Sequence, residues 1–208
     1  MYTIKSKADQ VSVISEYPDY RKTTRTNHKF VGCLGHGNDL AYYNGFLYVA
    51  PCDSYIELVN TKNWSHSRLQ CDTVISAIAH VAGNRFVGLY LNYGNSLGFV
   101  TLDHHGVRME ITGRWTVSNP KASEGYVITQ AIGFKKKNDS LFVVLTRNDY
   151  HKNVILRTKI GQTEPDYCFV SKQSSGTYEM EGISFRSSGQ KIIGSNIAGG
   201  KDKTFISS

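Results

Sequence analysis

Four times along the chain the same short grammar recurs, and it limits the fold more than any other feature. A polar residue, a small or apolar pair and an aromatic-leaning end are followed by a turn and then by a strongly apolar strand. The first members are Asp39-Leu40-Ala41-Tyr42-Tyr43, Ser76-Ala77-Ile78-Ala79-His80, Gln130-Ala131-Ile132-Gly133-Phe134 and Glu181-Gly182-Ile183-Ser184-Phe185. Their partners are Phe46-Leu47-Tyr48-Val49-Ala50, Arg85-Phe86-Val87-Gly88-Leu89, Leu141-Phe142-Val143-Val144-Leu145 and Lys191-Ile192-Ile193-Gly194-Ser195. Asn44-Gly45, Gly83-Asn84, Asn138-Asp139 and Ser188-Gly189 lie between them, residues that tolerate positive φ and fit tight hairpins.

Two further strand-like runs follow each of the first three hairpins: residues 55–59 and 67–70, 97–102 and 107–111, 153–160 and 166–171. Helical periodicity is almost absent, so the chain reads as all-β with tight turns. Four antiparallel strands repeated every ~40–50 residues are the grammar of a β-propeller blade. The expected fold is a small β-propeller of four or five blades, with a β-sandwich as the alternative. Residues 1–208 are expected to form one domain, in which the N-terminal strands at 11–15 and 27–31 complete the short fourth unit and close the ring. No WD or kelch signature is present, so spacing alone carries this reading.

Composition narrows the function classes. The chain carries 24 Lys and Arg against 17 Asp and Glu, a formal charge of +7. Part of that charge is local, in Arg21, Lys22, Arg25 and Lys29 and again in Lys135, Lys136 and Lys137. Both runs read as solvated loop or hairpin turn. The first, beside Tyr17 and Tyr20, keeps a nucleic-acid partner as an alternative, since single strands are held by basic grooves with stacking aromatics. No apolar run reaches the ~18 residues of a membrane helix, and the N-terminus has no signal-peptide core. The four cysteines form no C-x-x-C pair, so free buried thiols and a cytoplasmic location are the expectation.

In a propeller the first strand of each blade lines a central channel. Asp39, Ser76, Gln130 and Glu181 then take equivalent innermost positions. A buried carboxylate costs several kcal/mol without a partner. Either backbone N–H groups and channel waters satisfy these residues, or they form a cation or polar-ligand site at the channel mouth. Arg147, after the third apolar strand, is the protein cation placed to neutralise them.

His36-Gly37-Asn38-Asp39-Leu40-Ala41-Tyr42 with Gly45-Phe46-Leu47-Tyr48-Val49-Ala50 resembles the Asn-Asp strand of the calcium-dependent propeller lactonases and arylesterases, the gluconolactonase and paraoxonase type. Glu181-Gly182-Ile183-Ser184-Phe185 resembles the Glu-Gly strand of the gluconolactonase group. The resemblance implies Ca²⁺ held by oxygen ligands, with Asn38, Asp39 and Glu181 in ligand roles and His36 placed as a general base. Two departures stand beside it. The family has six blades and a longer chain, and its remaining ligand positions fall here on Ser76 and Gln130, which are weaker calcium ligands.

The polar set at the channel is therefore Asn38, Asp39, Ser76, Gln130, Arg147 and Glu181. The expected function is a binding module that uses a propeller face or channel mouth to hold a protein partner or small polar ligand. A calcium-dependent hydrolase of the lactonase or esterase type is the enzymatic alternative. Asp103-His104-His105-Gly106 has metal-ligand residue types, but its position between two strands makes it a hairpin turn.

Overall fold

The computed structural model describes residues 2–7, 10–15, 37–63, 65–92, 94–147, 152–170, 178–185, 188–189, 191–197 and 203–207. The first basic run, His36, Cys33 and the strand expected at 27–31 lie outside these residues. Two compact units divide the chain, Met1–Gly35 and His36–Ser208. The first contains an antiparallel hairpin of β1 (Tyr2–Lys7) and β2 (Gln10–Ser15), paired from Tyr2↔Ser15 to Lys7↔Gln10.

The second unit is built from antiparallel meanders that follow the sequence repeat. One comprises β3 (Asp39–Tyr43), β4 (Phe46–Ala50), β5 (Asp53–Asn60) and β6 (His66–Ile75); the next, β7 (Ala77–Ala82), β8 (Arg85–Asn92), β9 (Ser96–His105) and β10 (Arg108–Ser118). The third comprises β11 (Tyr126–Lys135), β12 (Ser140–Arg147), β13 (Asn153–Thr158) and β14 (Tyr167–Val170), and the fourth β15 (Tyr178–Phe185), β16 (Lys191–Ile197) and β17 (Lys203–Ser207). Outer strands β6 and β10 pair in parallel at Gln70↔Arg108 and Cys71↔Met109, which joins the first two meanders into one eight-stranded sheet. This rim pairing was not foreseen in the sequence.

Hairpin chemistry fixes the register. Asn44 and Gly45, at φ 48° and 83°, form the two-residue loop that pairs Tyr43 with Phe46. Both central residues at positive φ match the right-handed twist of the strands. Cys52 also takes a left-handed conformation, φ 60°, in the two-residue loop between β4 and β5. That turn position leaves its thiol exposed, which corrects the expectation of buried thiols, whereas Cys71 is buried in a strand.

Second and third strands read as continuous apolar runs because both of their faces are covered. Phe86 and Val87 illustrate this: Phe86 packs with Tyr48, Ile56 and Leu69 of the first meander, and Val87 with Ile132, Leu141 and Val143 of the third. Val144 and Ile155 pack in turn on Met180, Ile183 and Ile193 of the fourth. The apolar core is thus divided among the successive sheet-to-sheet interfaces. A sandwich would gather it between two sheets, so the propeller of the two expected folds is the one formed. A polar bond crosses an interface as well: Asn153 Oδ1 in β13, which also accepts from Thr146 Oγ1 (2.8 Å) of its own sheet, accepts from the Met180 N–H of β15 (3.1 Å).

Inner strands β3, β7, β11 and β15 pack side by side in sequence order. At Gly133 β11 lies close against β15: an added Cβ would stand 2.7 Å from the Ile183 carbonyl oxygen. Backbone cannot yield as a flexible side chain can. Gly133→Ala is therefore expected to destabilise the protein by about 1–3 kcal/mol, the usual range for overpacking, measured by urea denaturation. Unchanged stability would mean that β11 and β15 do not approach this closely.

Candidate functional site

Two side chains of the first repeat bond the backbone of the second and third. Asn38 Nδ2 donates to the carbonyl oxygens of Ser76 (2.7 Å) and Gln130 (3.2 Å). Asp39 Oδ2 accepts from the N–H groups of Ile78 (3.1 Å) and Ile132 (3.0 Å), and Oδ1 from that of Leu40 (2.9 Å). Ser76 and Gln130 are the first residues of their repeats, Ile78 and Ile132 the third. One dipeptide of the first meander thus reads the same two backbone positions in the second and third.

Asp39 is buried, and its partners are backbone N–H groups, one of the two arrangements expected for a carboxylate in this place. No cation among the described residues reaches it. Burial pushes its carboxyl from the ordinary 3.8 up to about 8, against the opposing pull of the Ile132, Leu40 and Ile78 N–H groups.

The other expected residues take separate positions. Ser76 Oγ donates to the Leu89 carbonyl (3.1 Å), so this side chain closes its own hairpin. Gln130 is buried and stands at a register break between Thr129 and Ala131; Glu181 is half-buried at the matching break between Met180 and Gly182. The recurrence of that bulge supports the equivalence of the two residues. Arg147 ends β12, its N–H bonded to the Lys152 carbonyl (2.9 Å), and is not a partner of Asp39.

Among the described residues no group of three or more His, Cys, Asp and Glu side chains is placed to hold a metal. In the Asp103–Gly106 segment, His104 Nε2 meets the Gly106 carbonyl (3.0 Å) and Nδ1 meets the Tyr48 hydroxyl (2.9 Å). These partners assign the proton to Nε2 and leave Nδ1 to accept from Tyr48. His105 is exposed on the hairpin.

The space enclosed by the inner strands lies further along them, toward the hairpin turns. It is a cavity of about 620 Å³, and none of the six expected residues lines it. Its walls repeat the sequence grammar. Ala41, Ile78, Ile132 and Ile183 form one row and Tyr42, Ala79, Gly133 and Ser184 the next. His80, Phe134 and Phe185 follow, and Lys135, Lys136 and Lys137 bring positive charge to the same space. The lysines do form a turn, as expected, with Lys136–Asn138 in a 3-10 conformation. Their place beside the cavity was missed, although carrying the repeat alignment one residue past Phe134 points to it.

No protein-family model and no curated protein sequence matches the chain. Its fold is similar to that of solved structures. The glutaminyl cyclase of Myxococcus xanthus superposes with a TM-score of 0.54 at 10% identity, covering 82% of this chain and 73% of that one. The β-propeller domain of Cps50 (Swd1) from Myceliophteria thermophila gives 0.45 at 13% identity, covering 80% and 56%. The calcium-binding protein regucalcin from Agrobacterium tumefaciens gives 0.44 at 9%, covering 79% and 72%. The chain is a β-propeller, and at these identities the likeness concerns the fold alone.

Removing the carboxyl by Asp39→Ala leaves the Ile78 and Ile132 N–H groups unpaired and is expected to cost about 1–3 kcal/mol. The pH dependence has a definite sign. Between about 4 and 8 the folded protein holds a proton on Asp39 that the unfolded chain has released. Raising the pH across that window therefore favours unfolding, and the contribution is lost as pH passes the folded value. Melting temperatures from pH 4 to 9 are expected to fall in the native protein. In Asp39→Asn, an uncharged isostere of the protonated acid, the Asp39 part of that slope is expected to vanish. An identical slope in both proteins would show that Asp39 does not titrate there.

Proposed function

We propose that this protein is a binding propeller that holds a small ligand in the cavity between its inner strands. The observation that carries the reading is the cavity itself: about 620 Å³, within the usual range for ligand sites, with walls drawn from β3, β7, β11 and β15. A ligand there touches the inner strand of every meander, and the Asn38–Asp39 bonds tie the first of these strands to the next two. The apolar rows supply burial, and the polar groups nearer the turns supply orientation.

The calcium-dependent hydrolase reading is supported by the resemblance of the Asn38-Asp39 and Glu181-Gly182 strands. Against it stands the local field at Asp39. Three N–H dipoles already point their positive ends at its two oxygens, and a cation would have to displace or oppose them. The nucleic-acid alternative rests on the first basic run, outside the described residues.

The two leading readings separate in one experiment. Calcium titrated to millimolar concentration is expected to leave the melting temperature unchanged. A broad lactonase and esterase screen is expected to show no turnover that a chelator abolishes. A calcium-dependent rise in melting temperature, which follows mass action when a ligand binds only the folded state, would establish the metal reading if Glu181→Gln removed it.

A further inference from the structure

We propose that the cavity selects an amphiphilic organic anion, its carboxylate or phosphate held by Lys135 and Lys137 and its apolar body lodged among the inner strands. This rests on the binding reading above and names the ligand class for that same cavity.

The charge at this mouth is concentrated, and no ion pair among the described residues compensates it. Lys135, Lys136 and Lys137 form no ion pair among the described residues. The acid in the same turn, Asp139, is exposed and likewise forms none. Lys135 and Lys137 converge above Gly189 in the β15–β16 turn: a Cβ there would stand 3.2 Å from Lys135 Cε and 3.8 Å from Lys137 Cδ. A residue without a side chain in the neighbouring hairpin turn thus leaves both lysines room. Lys135 Nζ also lies 5.7 Å from the Phe185 ring centroid, within cation–π range.

Like charges act on one another here. Burial, and then Lys135, hold the Lys191 ammonium below its ordinary value. His80 is lowered by burial and by Lys136, while its bond to the Gly83 carbonyl opposes the change. Clustered cations of this kind favour an anionic partner. Below them the walls are apolar: Ala41, Ile78, Ile132 and Ile183, with Tyr42 59% exposed. Charge at the rim over an apolar bore suits one molecule with both characters. A bare phosphate would leave the bore unused, and a neutral apolar ligand would leave the lysines unpaired.

Naphthaleneacetate, its neutral analogue naphthaleneacetamide, and acetate test this by calorimetric titration at low salt. Naphthaleneacetate is expected to bind at least about tenfold more tightly than either of the others. The double variant Lys135→Gln, Lys137→Gln is expected to erase its advantage over the amide and leave the amide's affinity unchanged. Ser184→Trp, at an exposed position on the wall, is expected to abolish binding of both aromatic probes, with melting curves confirming that the variants fold. Equal affinity for acid and amide in the native protein, lost together in Ser184→Trp, overturns the anion selection and keeps the binding reading. Failure of both aromatic probes to bind overturns both. Polyglutamate that binds through the lysines without competition from naphthaleneacetate overturns the small-ligand class in favour of an acidic macromolecule.

Discussion

A buried carboxylate receiving three backbone N–H groups organises this propeller. Strands pack edge to edge around a channel only if something fixes their relative height. Apolar packing is non-directional and permits sliding, whereas hydrogen bonds to named backbone atoms do not. Asp39 and Asn38 supply such bonds from the first meander to the next two, donors to carbonyls on one side and acceptors for N–H groups on the other. The burial that strengthens these bonds also makes the charged form of Asp39 costly. The group that orders the channel is therefore itself sensitive to protons.

Much of the architecture was legible because it is written locally. A hairpin depends on two turn residues and the alternation around them, and the four hairpins could be read from Asn44-Gly45, Gly83-Asn84, Asn138-Asp139 and Ser188-Gly189. Equivalence of the inner positions was legible too, and the matching bulges at Gln130 and Glu181 support it. What escaped the sequence is long-range. Asp39 bonds Ile132 across 93 positions, and no local rule says whether a carboxylate meets an N–H, an arginine or a metal. Lys135 to Lys137 obeyed the turn expectation, while their proximity to Gly189 arises only when separate hairpins come together.

The two ends of the inner strands divide the work. On the side away from the turns, Asn38 and Asp39 bond the backbone of the second and third meanders. Toward the turns the walls become apolar and aromatic, and the cations stand at the opening. The bonded positions and the cavity walls are thus set apart by a few residues along the strands. That division also explains why Asn38 and Asp39, singled out by their polarity, tie inner strands together without lining the cavity.

The rim pairing has a consequence for the protein in a crowded solution. Strands β6 and β10 are 10 and 11 residues long, and each is the outer edge of its meander. An open edge of that length is a template on which another chain can add a strand, the usual first step toward aggregation. Because Gln70 and Cys71, midway along β6, pair with Arg108 and Met109 at the start of β10, part of each edge is occupied by the other. Glu110 and Arg114 then place charge along the remainder of β10, which discourages addition there. Two liabilities placed side by side become each other's shield, using backbone that would otherwise invite a stranger.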